Sequence, residues 1–361
     1  MAAKRKNRYI FGSDPNPHRV RRFFLRLGAA LLILLALAAA LNFSVFGGVA
    51  METVWVTVPD LPADIEQFSI LHLSDLHGAV LGDHQSAIGR VLSGQRFSCC
   101  VITGDMLGPR GETEPLEELL DLLPEGLLTV YVPGDEDPPY LDASAHGSLS
   151  PLALWAETLQ KRGVRILDTP LLIERGRKGQ ARLWLIPESL CALDLDSIEH
   201  QSRVQLERLS AITALTPDEA AAKRVYQYQL DRVAAIRQAV KDMKDSDIRI
   251  VAAHTPITRD HVQTLMDWSG KDDPLSIRRA SLVLAGHFCA GQWRIPGLGA
   301  IHVPELGWFP EDSLIMGFGW ADSVPQYISP GLGASGAYPW QPFRLMNRPV
   351  ITRIYLSAKT H

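Results

Sequence analysis

Cysteine is scarce in this sequence, which limits what can hold the fold together. The 361 residues contain four cysteines, and Cys99 and Cys100 are adjacent in a run that predicts a strand. Because successive side chains of a strand point to opposite faces, this pair is not expected to form a disulfide framework. Cys191 is expected to be a small core residue. Cys289 differs from the others because it closely follows a predicted strand and a histidine.

Most of the chain also has no excess of basic over acidic residues. The whole sequence has 36 Lys and Arg against 40 Asp and Glu, and residues 1–26 hold eight of the basic and one of the acidic residues. The remaining residues therefore include 28 basic and 39 acidic side chains. Proteins that bind nucleic acid need Lys and Arg to neutralise phosphates. We therefore expect no nucleic-acid partner.

Charge is absent from a long stretch near the N-terminus. Residues 27–51 contain no charged side chain, and residues 27–41 are strongly apolar. About 20 such residues cross a hydrocarbon core of roughly 30 Å. The pattern predicts a basic cytoplasmic leader at 1–26, a single-pass anchor at 27–50 in the cell membrane, and a body outside the cytoplasm.

Two further interpretations of this N-terminal region stay open. Ala38-Ala39-Ala40 has the small side chains of a signal-peptidase site, so the segment could instead be a cleaved signal peptide. Arg21-Arg22 resembles a twin-arginine export signal, although the same pair is consistent with a simple basic flank.

Five apolar runs each end on residues that bind metal ions well. Short runs bounded by Gly and Pro predict buried strands, and the carboxyl ends of such strands meet in one crevice of an α/β protein. We therefore expect the residues after these runs to form one metal site. In order, they are Asp75-Leu76-His77, Gly104-Asp105, Gly134-Asp135-Glu136-Asp137, His254, and Gly286-His287-Phe288-Cys289.

The order of these blocks resembles the calcineurin-like metallophosphoesterases. That family carries D-x-H, then G-D, then G-N-H-D/E, then a lone His, then G-H-x-H. The similarity continues at residues 290–292 and in the tail, at 331–335 and 344–349, where the chain resembles a bacterial membrane-associated branch of the family. The resemblance implies an α/β fold of two packed mixed β-sheets flanked by helices.

The resemblance also implies roles for the site residues and two divalent metal ions, which would be Mn, Fe or Zn. One metal would be bound by Asp75, His77 and Cys289. The second would be bound by Asp135, His254 and His287, with Asp105 bridging the two. A thiolate at Cys289 favours zinc or iron.

Two positions depart from the family pattern. Glu136 stands where the family has the His that is thought to protonate the leaving group, and Cys289 stands where it has the last His ligand. Asp135 replaces the usual Asn. If Glu136 is the catalytic residue, it must either be protonated and donate to the leaving oxygen, or act as a ligand. Two unit charges about 4 Å apart repel by about 4 kcal/mol at an effective dielectric constant near 20.

Residues 51–361 are predicted to form one metallophosphoesterase domain with a helical insertion at 190–246. Within the insertion, Thr216-Pro217-Asp218-Glu219 has the pattern of a capping box with Pro at the first helical position. The insertion could be a lid, a dimer surface, or extra structure packed on a sheet.

Two functions follow from these observations. The first is a membrane-anchored phosphoesterase that hydrolyses phosphomonoester, phosphodiester or pyrophosphate bonds, including lipid-linked ones, by a metal-activated water. The alternative is a catalytically degenerate relative that keeps the fold and acts as a binding or scaffolding module at the membrane. Retention of Asp75, His77, Asp105, His254 and His287 favours the enzyme, whereas Glu136 and Cys289 favour degeneration.

Overall fold

A computed structural model describes residues 17–144, 149–175, 182–270, 273–336 and 340–359. The α-helices within these ranges are α1 Pro17–Leu41, α2 Ser86–Leu92, α3 Glu114–Leu120, α4 Leu154–Lys161, α5 Leu195–Ser210, α6 Pro217–Asp242 and α7 Arg259–Trp268. The strands are β1 Ala50–Thr57, β2 Ser69–Leu73, β3 Cys99–Ile102, β4 Thr129–Tyr131, β5 Val164–Ile166, β6 Leu171–Arg175, β7 Arg182–Pro187, β8 Ile248–Ala252, β9 Leu282–Ala285, β10 Arg294–Ile295, β11 Gly299–Ala300, β12 His302–Val303, β13 Gly307–Trp308, β14 Gly317–Ala321, β15 Val324–Ile328 and β16 Val350–Ser357.

Two mixed sheets of six strands dominate the described part of the chain. The first has the order β1-β16-β2-β3-β4-β5, and its neighbours are parallel except for β16 and β2. The second has the order β14-β15-β9-β8-β7-β6, with antiparallel pairs at β14–β15 and β6–β7. The predicted fold class, an α/β protein with two packed mixed sheets flanked by helices, is confirmed.

The sheets pack against each other because apolar side chains line both faces of their central strands. In β2, Ile70 belongs to the core shared by the two sheets, whereas Leu71 faces a second core under the helices. In β8, Ile250 faces the other sheet and Val251 faces a third core, on the side of α6 and α7. Strands buried on both faces are near-continuous apolar runs, as the sequence predicted.

The cysteine pair follows the same alternation. Cys99 lies in the core between the sheets and Cys100 lies in the core under the helices. Burial raises the pKa of the Cys99 thiol to about 12. All four cysteines are buried and free, which agrees with the expectation that disulfides do not support this fold.

An exposed apolar helix precedes the sheets. The segment His18–Phe46, which combines α1 with a π-helical turn at Asn42–Phe46, is long enough to cross a membrane, and its most apolar 18-residue window has a mean hydropathy of 2.4. The helix begins ten residues before the apolar run predicted at 27–50. Lys4, Arg5, Lys6 and Arg8 of the leader lie outside the described residues. The orientation across a membrane stays a prediction.

Residues 190–246, which were predicted to be a helical insertion, contain α5 and α6, and these two helices pack against each other. The capping box at the start of α6 is confirmed, because the Glu219 amide donates to Thr216 Oγ1 at 3.3 Å and the Thr216 amide donates to Glu219 Oε2 at 2.8 Å. Ile236 and Ala239 of α6 are buried on the outer face of the second sheet. The insertion is therefore packed on the sheet along this part of α6.

Candidate metal centre

The strand ends meet as the sequence predicted, and both sheets contribute. Asp75, Asp105 and Asp135 follow β2, β3 and β4 of the first sheet, and His254 and His287 follow β8 and β9 of the second. Since these strands are parallel within their sheets, their carboxyl ends lie on the same side of the molecule. The site is consequently at the junction of the two sheets.

The ligand atoms form overlapping groups whose members lie within 4.8 Å of one another. His254 Nε2 lies 2.7 Å from Asp135 Oδ1 and 3.1 Å from Asp105 Oδ2. Cys289 Sγ lies 3.5 Å from His77 Nε2. The three groups are Asp105 with Asp135, His254 and His287; Asp75 with His77 and Cys289; and His77 with Asp105 and Glu136.

All seven candidate ligands named from the sequence are thus placed together. Asp105 belongs to the group that contains Asp135 and also to a group that contains His77. Its carboxylate is therefore situated between two sets of ligands, which is the position that a bridging ligand requires.

The backbone at the site adopts an unusual conformation. The φ angle is positive at Asp75 (54°), His77 (48°), Asp105 (53°), His287 (80°) and Cys289 (48°). Such conformations cost a non-glycine residue about 1–3 kcal/mol each and persist only where the surroundings enforce them. Five of the candidate ligands have such a strained backbone, which indicates that the fold places these side chains at the expense of backbone strain.

Backbone hydrogen bonds and two glycines enforce this geometry. The His77 amide donates to the Asp105 carbonyl at 2.8 Å, and the His287 amide donates to Asp75 Oδ1 at 2.8 Å. A Cβ atom at Gly134 would lie 2.0 Å from Asp105 Oδ1, and one at Gly286 would lie 2.6 Å from Asp75 Oδ2. Positions 134 and 286 therefore need glycine because the carboxylates of Asp105 and Asp75 approach the backbone closely there.

His254 is oriented as a metal ligand. Its Nδ1 donates to the Thr103 carbonyl oxygen at 2.7 Å. A carbonyl oxygen can only accept, so Nδ1 carries a proton, and Nε2 faces the carboxylates of Asp105 and Asp135. This arrangement, with one ring nitrogen bound to a carbonyl and the other free to bind, is the usual one for metal-binding histidines.

Three imidazoles lie in a strongly negative environment. Burial alone would lower the pKa of His77, but Cys289 and Glu136 raise it to about 11. For His287, burial is likewise outweighed by neighbouring carboxylates, which raise its pKa to about 9. The pKa of His254 is raised well above its usual range for the same reason. The negative electrostatic potential that favours protonation of these imidazoles would also stabilise a metal cation in the site.

The donor set fits divalent metal ions. Asp75 is fully buried, and its Oδ2 atom has no hydrogen-bond partner among the described residues. A buried carboxylate oxygen without a partner is costly unless a cation or water satisfies it. Carboxylate, imidazole and thiolate groups together suit Zn, Fe or Mn. The side chains therefore fit the predicted cofactor.

Glu136 faces the metal ligands. Its Oε2 lies 3.2 Å from His77 Nδ1, and Ser335 Oγ donates to Oε1. The contact with His77 holds the pKa of Glu136 below its usual range. This favours an ionised carboxylate that acts as a ligand over a protonated acid. The catalytic role predicted for Glu136 stays a prediction.

Asp137 organises the site, although no role was predicted for it. Its Oδ2 atom accepts from the Asp105 amide at 2.9 Å, the Gly134 amide at 2.8 Å and the Tyr131 hydroxyl at 2.7 Å. Asp137 thereby ties the turn after β3 to the turn after β4. The sequence shows a carboxylate at position 137, but it does not show that this side chain turns toward the backbone of the site.

Arg344 and Asn347 support the site from the tail. The partly buried Arg344 guanidinium donates to the Gly333 carbonyl at 2.8 Å and to Asn347 Oδ1 at 2.8 Å, and burial lowers its pKa to about 10. Asn347 in turn donates to the Cys289 carbonyl at 2.9 Å. The tail motif thus positions the Cys289 backbone.

Other histidines lie apart from the ligand groups. His72 is fully buried, its Nε2 is 2.9 Å from Thr103 Oγ1, and burial lowers its pKa to about 3, in agreement with a structural role. His84 contacts Glu118 at the surface. His302 lies among aromatic rings, and His146 lies outside the described residues.

A cleft of 640 Å³ opens beside the site. Asp135 and His254 line it together with Arg232 of α6 and with His261, whose Nε2 lies 2.6 Å from Glu188 Oε1. The helical insertion therefore contributes a cation to the wall of the cleft. A position next to the site was one of the alternatives predicted for these helices, but the particular residue that contacts the cleft was not predicted.

Arg232 is held there by a polar network. Its Nε donates to the Asp168 carbonyl at 2.9 Å, and the Asp168 carboxylate accepts from the Tyr228 hydroxyl at 2.6 Å. Tyr140 also donates to Asp168, at 3.3 Å. These bonds fix one face of α6 against the edge of the cleft.

Comparison with solved structures finds a similarity to the crystal structure of the phosphopantetheinyl hydrolase PptH from Mycobacterium tuberculosis. The two chains are 16% identical, the match covers 78% of this chain and 96% of that one, and the TM-score is 0.35. No protein-family model and no curated protein matches the chain. The resemblance to the calcineurin-like family stays a prediction, and the functional argument depends on the site itself.

Proposed function

We propose that this chain is a metal-dependent phosphoesterase anchored to a membrane by α1, which hydrolyses phosphomonoester, phosphodiester or pyrophosphate bonds. The observation that carries the proposal is the arrangement of eight metal-binding side chains from five strand ends in three overlapping groups, with Asp105 common to two of them. The adjoining cleft provides space for a substrate next to the ligands.

Two of the three groups would supply two metal-binding positions. Asp75, His77 and Cys289 would hold one divalent ion, and Asp135, His254 and His287 would hold the other. When bound, such a pair supplies Lewis acidity toward a phosphoryl group and an activated water. Asp137 keeps Asp105 in place through its backbone amide, and the Thr103 carbonyl keeps His254 in the tautomer that can bind a metal.

The cleft suits the remainder of a phosphate-containing substrate. The Arg232 guanidinium offers planar donors of the kind that bind phosphate oxygens. His261 and Glu188 add polar groups to the same wall. Because these residues belong to the cleft and not to the ligand groups, they would select among substrates while the ligand groups perform the chemistry.

A second candidate is a binding module that has lost catalysis. The specific observation in its favour is the ionised Glu136 beside His77, which adds negative charge to the three aspartates and Cys289. This charge offsets that of a metal pair and lowers its attraction for an anionic substrate. Such a protein would bind metal and phosphate without turnover.

Metal content and hydrolysis, measured together on the full chain, test the proposal. We expect close to two ions per chain with Mn, Fe or Zn, and metal-dependent release of nitrophenol from bis(p-nitrophenyl) phosphate. The His254→Gln variant should lose both properties, while the matched control His84→Gln, at an exposed site, should keep them. Metal without hydrolysis would support the binding module, and absence of both would overturn the proposal.

A variant that restores the family residues distinguishes an enzyme that has lost activity from one that is specialised for another substrate. The double variant Glu136→His with Cys289→His removes negative charge and adds a possible proton donor. A decayed enzyme should gain turnover, because leaving-group protonation acts in the transition state. A specialised enzyme should lose its native activity. No change in rate or metal content would show that these two residues lie outside the working site.

A further inference from the structure

Six aromatic side chains form a continuous cluster near the metal centre, which we call the aromatic face. Ring centroids of Trp293 and Phe343 are 5.5 Å apart, and those of His302 and Trp308 are 4.9 Å apart. Trp340 connects these two pairs through contacts with Trp293 at 6.0 Å and with His302 at 5.3 Å. The members are Trp293, His302, Trp308, Phe309, Trp340 and Phe343.

Much of the aromatic face is open to solvent. Trp308 is 67% exposed, Phe309 is 55% exposed, Phe343 is 50% exposed and Trp340 is 45% exposed. Tryptophan buries a large apolar area when it meets a partner, so leaving several such rings exposed sacrifices considerable stability. Contiguous apolar patches of this kind mark surfaces that contact another molecule or a membrane.

The end of the apolar helix lies against this surface. Phe46, in the turn that follows α1, lines one groove with Ile295, Leu298 and Phe309. The Met346 amide donates to Asn42 Oδ1 at 2.7 Å. Three residues, 47–49, separate the turn from β1, and at about 3.5 Å per residue they limit the separation of helix and sheet to about 14 Å.

We propose that the aromatic face rests in the polar–apolar interface of the bilayer that α1 enters. Tryptophan is enriched at this depth because its ring is apolar and its N–H is polar. The inference rests on the membrane-anchor part of the proposed function. The short connection at 47–49 and the adjoining aromatic face would hold the domain in one orientation on the membrane. Without them, the domain could rotate freely on a flexible tether.

Docking in this way would hold the metal centre near the lipid headgroups. Glu305, in the segment that carries the aromatic face, lies 3.6 Å from His287 Nε2. Asn347, near Phe343 in the tail, donates to the Cys289 carbonyl at 2.9 Å. The same two segments that face the bilayer therefore contact the ligand groups.

A fluorescent label on the aromatic face tests the inference. The full-length Trp308→Cys variant, labelled with NBD and reconstituted in vesicles of phosphatidylcholine with phosphatidylglycerol, should show blue-shifted emission. Brominated lipids should quench it at least threefold more strongly than at the control position Leu154→Cys. Leu154 is similarly exposed, at 64%, and lies on α4 beside β5, at the sheet edge opposite β1. The wild-type chain, with four buried thiols, gives the labelling background.

Each outcome bears on the inference. Quenching at Trp308→Cys and also at Leu298→Cys, a second exposed position in the groove, supports bilayer contact. A blue shift without quenching by brominated lipid indicates contact with a second copy or another protein and overturns the inference, as does equal quenching at 308 and 154. A chain that does not float with vesicles overturns the anchor as well, whereas metal content and hydrolysis report on the catalytic proposal separately.

Discussion

Asp105 is shared by two of the three ligand groups, one that contains Asp135, His254 and His287 and one that contains His77 and Glu136. Replacing Asp105 with Ala should empty both proposed binding positions, because its carboxylate lies beside Asp135 and His254 of one position and beside His77 of the other. Elemental analysis of the purified variant should show near-complete loss of metal, and hydrolysis should fall by more than 100-fold.

The exposed Asp83→Ala variant provides a control of the same chemistry away from the site. Retention of full metal occupancy by Asp105→Ala, with the control unchanged, would show that Asp105 bridges nothing.

The raised pKa of His287 predicts how pH affects the stability of the metal-free protein. The pKa of His287 is raised from its ordinary value of 6.5 to about 9. A raised folded-state pKa stabilises the folded chain below the unfolded pKa, and this contribution is lost as pH rises toward 9. With chelator present, the contribution of this histidine should thus make the midpoint of thermal unfolding decrease between pH 6.5 and pH 9.

Metal binding should reverse this trend. Protons compete with the metal for the imidazoles, so apparent affinity should increase with pH, by about tenfold per unit for each proton displaced. The metal-loaded chain should accordingly become more stable over the same range. Parallel curves for the two forms would argue that the imidazoles do not bind the metal.

At the scale of the element, the capping box of α6 offers a direct test of stability. The Thr216→Ala variant removes the side chain that accepts from the Glu219 amide and should lower the free energy of unfolding by about 1 kcal/mol. Thr264→Ala, in the exposed interior of α7, is the matched control and should have little effect, because alanine favours helix interiors. Equal effects would show that the cap contributes nothing of its own.

The elements also show what sequence reasoning could reach. The strand ends were predictable because apolar runs followed by Asp or His combine two local signals, period and residue type. Element boundaries were less predictable, as in α1, which begins at Pro17, ten residues before the anchor predicted at 27–50. Asp137 and Arg232 were not assigned, since their roles depend on contacts with residues distant in the sequence.

At the scale of the whole molecule, the orientation across the membrane is the prediction to be tested. If the basic leader stays in the cytoplasm, protease added to intact spheroplasts should digest the sheets and spare a short N-terminal fragment that contains α1. Permeabilised cells provide the control for accessibility. A body that survives external protease but is cleaved after permeabilisation would reverse the orientation.

The position of β16 has a consequence for the order of events during synthesis. This strand, the last of those described, lies between β1 and β2, two strands that emerge roughly 300 residues earlier. Until it arrives, β1 has no partner in the sheet and β2 presents an unpaired edge, which is a hazard for aggregation. The loop before β16 also carries Arg344 and Asn347, which support Cys289. A nascent chain that has not reached this strand therefore lacks both a complete first sheet and the support that the tail gives to the candidate ligand Cys289, so the candidate metal centre can be completed only after the last described strand has been synthesised.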